Sequence, residues 1–265
     1  MYKCGSYPVT DKTAISGGIF SANILCPDIA AMAKPGQFAH IKLEGFTLRR
    51  PISICGIDRV NGTIRIVFEV RGAGTAKLSH INTGDNLDLL APLGNGFTLP
   101  ELAENERAIF VGGGIGVPPL LAAAAVYREQ ATAILGFRSY DKIILANDFR
   151  SIGAEVFTCT DDGSVGMKGQ VTVQLKDLLQ KGGVGRVFAC GPLAMLTTVS
   201  QITESFGVPT EVSLEERMGC GVGACAVCAC KANKDGKAFM ARVCKDGPVF
   251  GVKNGEFVAL DKEGV

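Results

Sequence analysis

The sequence predicts three units: an antiparallel β-barrel over 1–100, a doubly wound parallel α/β sheet over 101–214, and a small cysteine-rich lobe over 215–265. Three observations carry this. Short β-rich runs separated by glycine and proline breakers fill the first hundred residues. Apolar strands alternating with helical stretches fill the next hundred. Five of the ten cysteines then crowd between Cys220 and Cys244. A chain of 265 residues has room for two or three compact units.

In the first unit the strand runs are Ile24-Leu25, Phe38-Ala39-His40-Ile41, Ile52-Ser53-Ile54 and Ile64 to Val70. Pro35-Gly36, Asn61-Gly62 and Gly72-Ala73-Gly74 interrupt them, and Leu87 to Gly94 supplies a closing strand. The run from 64 to 70 alternates only in part, as a barrel strand with one solvated end does. After the polar joint from Glu101 to Arg107, Ala108-Ile109-Phe110-Val111 reads as a buried strand leading into the helix former Leu120 to Val126. The same alternation recurs through Ala133-Ile134-Leu135, Val156-Phe157-Thr158, Val187-Phe188-Ala189 and Thr210 to Ser213. The last unit is too small to hold together without a staple.

Composition excludes several classes. Hydrophobic residues make up 47% and charged residues 20%, which suits a folded globular protein. A net charge of +1 leaves no electrostatic footprint for nucleic acid. No apolar run approaches the roughly 18 residues of a membrane helix, and Met1 to Gly5 lacks the apolar core of a secretory signal. The expectation is a cytoplasmic protein with neither membrane nor nucleic-acid partners. In a reducing compartment, ten cysteines point to metal binding or redox chemistry rather than disulfides.

The cysteine spacing is the most specific signal. Cys220, Cys225, Cys228 and Cys244 spell C-x4-C-x2-C-x15-C, the plant-type 2Fe–2S pattern. Such a cluster takes four thiolates, and Gly221 and Gly223 permit the positive φ that a tight wrapping loop requires. A zinc staple is the rival, but zinc ligands come in pairs two to four residues apart, whereas here three form one run and the fourth stands alone. Cys230 competes with Cys228 as third ligand; the x2 spacing favours Cys228 and leaves Cys230 as a small packed hydrophobe.

Two regions suit nucleotides. Gly112, Gly113, Gly114 and Gly116 lie between a buried strand and a helix, where a pyrophosphate can meet free N–H groups. Without the G-x-G-x-x-G form, the same glycines also read as a plain tight turn. Cys190, Gly191 and Pro192 follow another strand of the sheet at a carboxyl end, and Cys190 either faces a nicotinamide or fills space. In the barrel, Arg50 and Ser53 of Arg49-Arg50-Pro51-Ile52-Ser53 suit a flavin's phosphate and ring edge, with Gly74 and Thr75 opening a short helix nearby. Asp161-Asp162, after the third strand of the sheet, favours NADH over NADPH, while Arg138 argues the other way.

The order R-P-I-S, G-x-G-T, G-G-G-I-G-x-P-P, C-G-P and then the cysteine loop resembles the ferredoxin–NADP reductase superfamily. More narrowly, Ser213 to Cys225, with Leu214-Glu215-Glu216-Arg217-Met218 ahead of the loop, and Val243 to Phe250 resemble the electron-transfer subunits of class B dihydroorotate dehydrogenases. The resemblance spans essentially the whole chain. It implies FAD held by Arg50, Pro51, Ile52 and Ser53, by backbone of Val67, Phe68 and Glu69, and by Gly74 and Thr75. It also implies cluster ligation by Cys220, Cys225, Cys228 and Cys244. Ile52 stands where the wider superfamily often has an aromatic. NAD is the implied substrate. The implied partner is an FMN-containing catalytic subunit that oxidises dihydroorotate to orotate, in a heterotetramer with two copies of each subunit. Val222, Ala224, Ala226 and Val227 of the loop suit a close, dry contact with it, and equally suit burial within the cluster lobe itself.

Overall fold

A computed structural model of the chain describes residues 2–234 and 236–260. The first unit is a closed six-stranded antiparallel barrel of β1 (Lys3–Ser16), β2 (Ile19–Leu25), β3 (Phe38–Lys42), β4 (Arg50–Asp58), β5 (Thr63–Glu69) and β6 (Asn86–Leu93). Their order around the barrel is β1-β2-β5-β4-β3-β6. Helix α1 (Pro27–Met32) joins β2 to β3, and α2 (Ala73–Leu78) joins β5 to β6. Inward positions of β5 alternate: Ile64, Ile66 and Phe68 are buried in the barrel core, and each contributes about 1.5–3 kcal/mol by leaving water. Val67 breaks the alternation because its outward face is buried too, in the core shared with the second unit.

That second unit is a doubly wound sheet built from β7 (Arg107–Gly113), β8 (Ala131–Phe137), β9 (Glu155–Thr160), the two-residue β10 (Met167–Lys168), β11 (Val184–Cys190) and β12 (Thr210–Ser213). All of these pair in parallel, in the order β10-β9-β8-β7-β11-β12. The connections carry α3 (Pro118–Tyr127), α4 (Ala146–Ser151), α5 (Val171–Lys181) and α6 (Leu193–Ser205). Helix α3 starts on two prolines, which cost nothing in a first turn that lacks N–H acceptors. It is apolar nearly all round because it lies between the sheet and the barrel strand β4.

The C-terminal lobe is not a pendant. Its strands β13 (Ala229–Lys234), β14 (Lys237–Arg242), β15 (Val249–Lys253) and β16 (Glu256–Ala259) extend the second sheet. The join is antiparallel, with Ser213 opposite Val249 and Glu211 opposite Gly251. The lobe is also bonded to the barrel: the Asn95 N–H donates to the Gly247 carbonyl at 2.7 Å, and Asn95 Nδ2 to the Asp246 carbonyl at 2.9 Å. Positions 261–265 of the expected third unit lie outside the described residues. No helix among the described residues is long and apolar enough to cross a membrane.

Candidate redox site

Residues 219–228 run without helix or strand and carry three cysteines in one loop, to which Cys244 is added from the turn after β14. Backbone amides converge on the sulfurs. Cys220 Sγ accepts N–H groups from Val222 at 3.4 Å, Ala224 at 3.2 Å and Cys225 at 3.4 Å. Cys225 Sγ accepts from Cys220 at 3.3 Å, Cys244 Sγ from Gly223 at 3.1 Å, and Cys228 Sγ from Cys244 at 3.4 Å. Gly221 and Gly223 hold φ of +74° and +85°, and Ala226 is also left-handed at +55°.

Donors aimed at sulfur favour thiolate. Burial alone would raise the Cys220 thiol, yet the amides of Val222, Cys225 and Ala224 with the Cys225 thiol outweigh it and bring it down to about 6. Cys244, more deeply placed, is pushed up to about 12 by burial and by the neighbouring Cys228 sulfur. Among the described residues no three Cys, His, Asp or Glu side chains converge on a single-ion position. A binuclear cluster shares four thiolates between two irons, and the amides aimed at the sulfurs of Cys220, Cys225, Cys228 and Cys244 suit four such thiolates. Cys230 lies on β13 opposite Ala241 and lines a large cleft of the second sheet, its thiol pushed up to about 11 by burial.

Next to the loop is a cavity of about 210 Å³. Pro51, Ile52, Ser53, Val67, Phe68, Glu69 and Thr75 line it from the barrel, Ile115 and Pro118 from the second unit, and Met218 and Pro248 from segments flanking the cysteines. Arg50 and Gly74 stand just outside, packed together: a Cβ on Gly74 would fall 2.1 Å from Arg50 Nε. The Arg50 guanidinium also lies 4.7 Å over the Phe46 ring. This cradle has a cation for phosphate, hydroxyls for a ring edge and apolar walls for a flat ring, so it fits FAD.

The third station is a cleft of about 1610 Å³ at the carboxyl ends of the sheet strands. Gly113, Gly114, Gly116, Gly191 and Pro192 line it, as do Arg138 and Asp161. Gly112 and Cys190 sit behind it. A Cβ at Gly112 would meet Val117 at 2.7 Å, and Cys190 is 1% exposed with its thiol held well above the usual range, first by burial and then by the Glu215 charge. Gly116 is required by a close approach, since its Cβ would fall 2.4 Å from the Cys190 carbonyl oxygen.

Sequence reasoning missed Glu215 and Glu216, which line both the flavin-sized cavity and the cleft. Glu215 keeps solvent contact through these openings, yet the walls around it are dense enough that desolvation raises its carboxyl above the usual range, against the Arg71 cation. Two adjacent carboxylates between a buried strand and a cysteine loop were the available signal. The loop's small apolar residues divide between the two expected settings, and Val222 takes the inner one. It is half-buried in the lobe's core, while Ala224, Ala226 and Val227 are exposed.

A closed antiparallel barrel abutting a doubly wound sheet, with a cavity at their junction and a cleft beyond it, defines an electron-transfer unit of the ferredoxin–NADP reductase type. Residues 215–254 match the family model of the iron–sulfur cluster binding domain of dihydroorotate dehydrogenase B. The chain is 38% identical over 255 residues to the electron transfer subunit of dihydroorotate dehydrogenase B (NAD(+)) from Streptococcus pneumoniae R6, covering 94% of this chain and 97% of that one. The Geobacillus thermodenitrificans subunit of the same name is 42% identical over 84% of this chain and 86% of its own. A solved NADH-dependent reduced ferredoxin–NADP oxidoreductase superposes with a TM-score of 0.81 at 32% identity, over 95% of this chain and 89% of that chain. The ferredoxin reductase of carbazole 1,9a-dioxygenase, at 19% identity and TM-score 0.67 over 78% of this chain and 67% of that chain, shares the fold. The chain belongs to the family of dihydroorotate dehydrogenase B electron transfer subunits.

Proposed function

We propose that this chain passes electrons between NAD and a separate dihydroorotate-oxidising subunit, through FAD and one 2Fe–2S cluster. The observation that carries the reading is contiguity. Met218 and Pro248 connect the cysteine loop to the flavin-sized cavity, and Glu215 and Glu216 connect that cavity to the nucleotide cleft. FAD held in that cavity would supply both hydride exchange with a nicotinamide and one-electron exchange with a cluster, which suits a cavity placed between the cleft and the cysteine loop.

In this reading Arg50 and the backbone around Gly74 and Thr75 hold the FAD phosphates. Pro51, Ile52 and Ser53 line one side of the ring, and backbone of Val67, Phe68 and Glu69 the other. Gly113, Gly114 and Gly116 let the nucleotide backbone approach β7 closely, and Gly191 and Pro192 close the opposite wall. Cys220, Cys225, Cys228 and Cys244 ligate the cluster. The exposed edge of Ala224, Ala226 and Val227 is the face offered to the catalytic subunit, whose FMN receives or delivers the electrons in an assembly of two copies of each chain.

Anaerobic purification followed by reconstitution with the FMN-containing subunit tests this. The chain alone is expected to carry FAD, two irons and two labile sulfides, and to reduce dyes with NADH without oxidising dihydroorotate; adding the partner restores NAD-linked oxidation. Stoichiometric zinc without sulfide, or full dihydroorotate turnover by this chain alone, rejects it. Val227→Asp should weaken assembly while leaving NADH-to-dye activity in place.

A further inference from the structure

Arg242 ends β14 and reaches back into the cysteine loop, where its Nη1 donates to the Gly223 carbonyl at 3.0 Å. That carbonyl shares a peptide with the Ala224 N–H, which meets Cys220 Sγ at 3.2 Å. A cation donating to one end of a peptide polarises the N–H at the other end, so the guanidinium acts on this sulfur through one amide. The N–H of Gly223 itself donates to Cys244 Sγ at 3.1 Å. Fixing Gly223 thus fixes contacts to two of the four sulfurs.

Asp246 holds the guanidinium in place. Its Oδ2 accepts Arg242 Nε at 3.1 Å and the Arg242 backbone N–H at 2.8 Å, and its Oδ1 accepts Nη2 at 3.4 Å. Between the two residues lies Cys244, on a turn closed by the Arg242 carbonyl, which accepts N–H groups from Lys245 at 2.9 Å and Asp246 at 2.7 Å. One cation therefore joins the loop bearing Cys220 and Cys225 to the turn bearing Cys244. The side chains of Arg242 and Asp246 are 34% and 21% exposed, so solvent screens this pair less than it would a pair on open surface.

Resting on the assignment of Cys220, Cys225, Cys228 and Cys244 as ligands of a 2Fe–2S cluster, we propose that Arg242 is a positioning residue that raises the cluster's reduction potential, with Asp246 as its counterweight. Reduction by one electron adds one negative charge to such a cluster. A nearby cation and a polarised amide favour that reduced form, and a nearby carboxylate opposes it. The two halves of the pair therefore act on the midpoint with opposite signs. A clasp that merely shaped the loop would give the same defect whichever half was removed.

The test uses the full-length protein, purified anaerobically with FAD and cluster in place, in redox titrations followed by EPR. Iron and labile sulfide in the unmodified protein check the ligand assignment; their absence sinks that assignment and this inference together. With the cluster present, the variants bear on Arg242 alone. Arg242→Met removes the charge and the fork, and its midpoint is expected to be more negative. Arg242→Lys keeps a cation without the fork and is expected to shift by less. Asp246→Asn keeps an oxygen for the Arg242 N–H and is expected to give a more positive midpoint with both irons retained. An unchanged midpoint in Arg242→Met, an equal shift in Arg242→Lys, or a midpoint in Asp246→Asn that is not more positive overturns the proposal. Where Arg242→Met loses its iron, opposite shifts in Arg242→Lys and Asp246→Asn support it. Loss of iron from all three shows a structural clasp alone and overturns it.

Discussion

The buried Glu211 carboxylate receives the Arg186 guanidinium on one oxygen at 2.8 Å, while its other oxygen accepts the Thr98 backbone N–H at 2.9 Å. This pair ties β11 and β12 to the segment that leaves the barrel. Glu211 is 1% exposed, so removing it strands a guanidinium whose Nε already lacks a partner. Glu211→Ala should destabilise by about 3 kcal/mol, the lower end for breaking a buried pair because Arg186 retains some solvent. Glu211→Gln, which can keep the Thr98 contact, should lose less. Equilibrium urea unfolding of the FAD-loaded protein measures both, and equal stability of Glu211→Ala and the unmodified chain contradicts the account.

The cysteines divide by their surroundings. Cys225→Ser should abolish the cluster's visible spectrum and leave the cysteine loop open to proteolysis, because residues 219–228 carry no helix or strand to hold them. Cys230→Ser should retain both irons. Iron analysis of the two variants decides, and the reverse pattern would exchange the ligand assignment.

Cofactor choice should follow Asp161. Its neighbour Asp162 accepts from the Ser164 N–H and hydroxyl and so caps its own turn, leaving Asp161 as the carboxylate on the cleft wall. NADH should therefore be preferred, and Asp161→Ala should raise kcat/KM for NADPH by about tenfold, the scale of one ribose-recognition contact. Arg138, on the same wall, is then available to the 2′-phosphate. A protein that already favours NADPH would refute this.

The raised Glu215 carboxyl has a pH signature. Its folded pKa lies above the unfolded one, so the unfolded chain releases its proton first as pH rises. The folded state then binds more protons, and stability falls as pH climbs above the ordinary carboxyl range. Glu215→Gln should lose that decline in thermal unfolding scans of the flavin-free protein. Because Glu215 lines both the cradle and the cleft, the same variant should also slow NADH-to-dye turnover. A pH slope unchanged by the substitution would show that Glu215 titrates normally.

Legibility tracked how local each signal was. The strands around Ile64, Ile66 and Phe68 and around Ile109, Phe110 and Val111 announce themselves, since burial on one or both faces writes a pattern into consecutive residues. The cysteine loop was equally plain because its spacing is dictated by the cluster. Strand β1 escaped notice: of its 14 residues only Val9 is fully buried, so no alternation marks it. The lobe's strands β13 to β16 escaped for a related reason: each is only four to six residues long, and few of their positions are fully buried. Glu215 acquires its setting from partners far away in the chain, and no window of sequence around it shows that.

The antiparallel join of β12 to β15 has a consequence for biogenesis. Thr210, Glu211, Val212 and Ser213 are all buried, and the last three pair on one side with β15 of the cysteine-bearing lobe. A newly made chain that has not received its iron lacks the staple for that lobe, and so leaves β12 as a bare sheet edge whose backbone donors and acceptors are able to pair with another copy. Metal delivery is in this sense a checkpoint against self-association: the step that makes the chain competent for electron transfer also covers an open sheet edge.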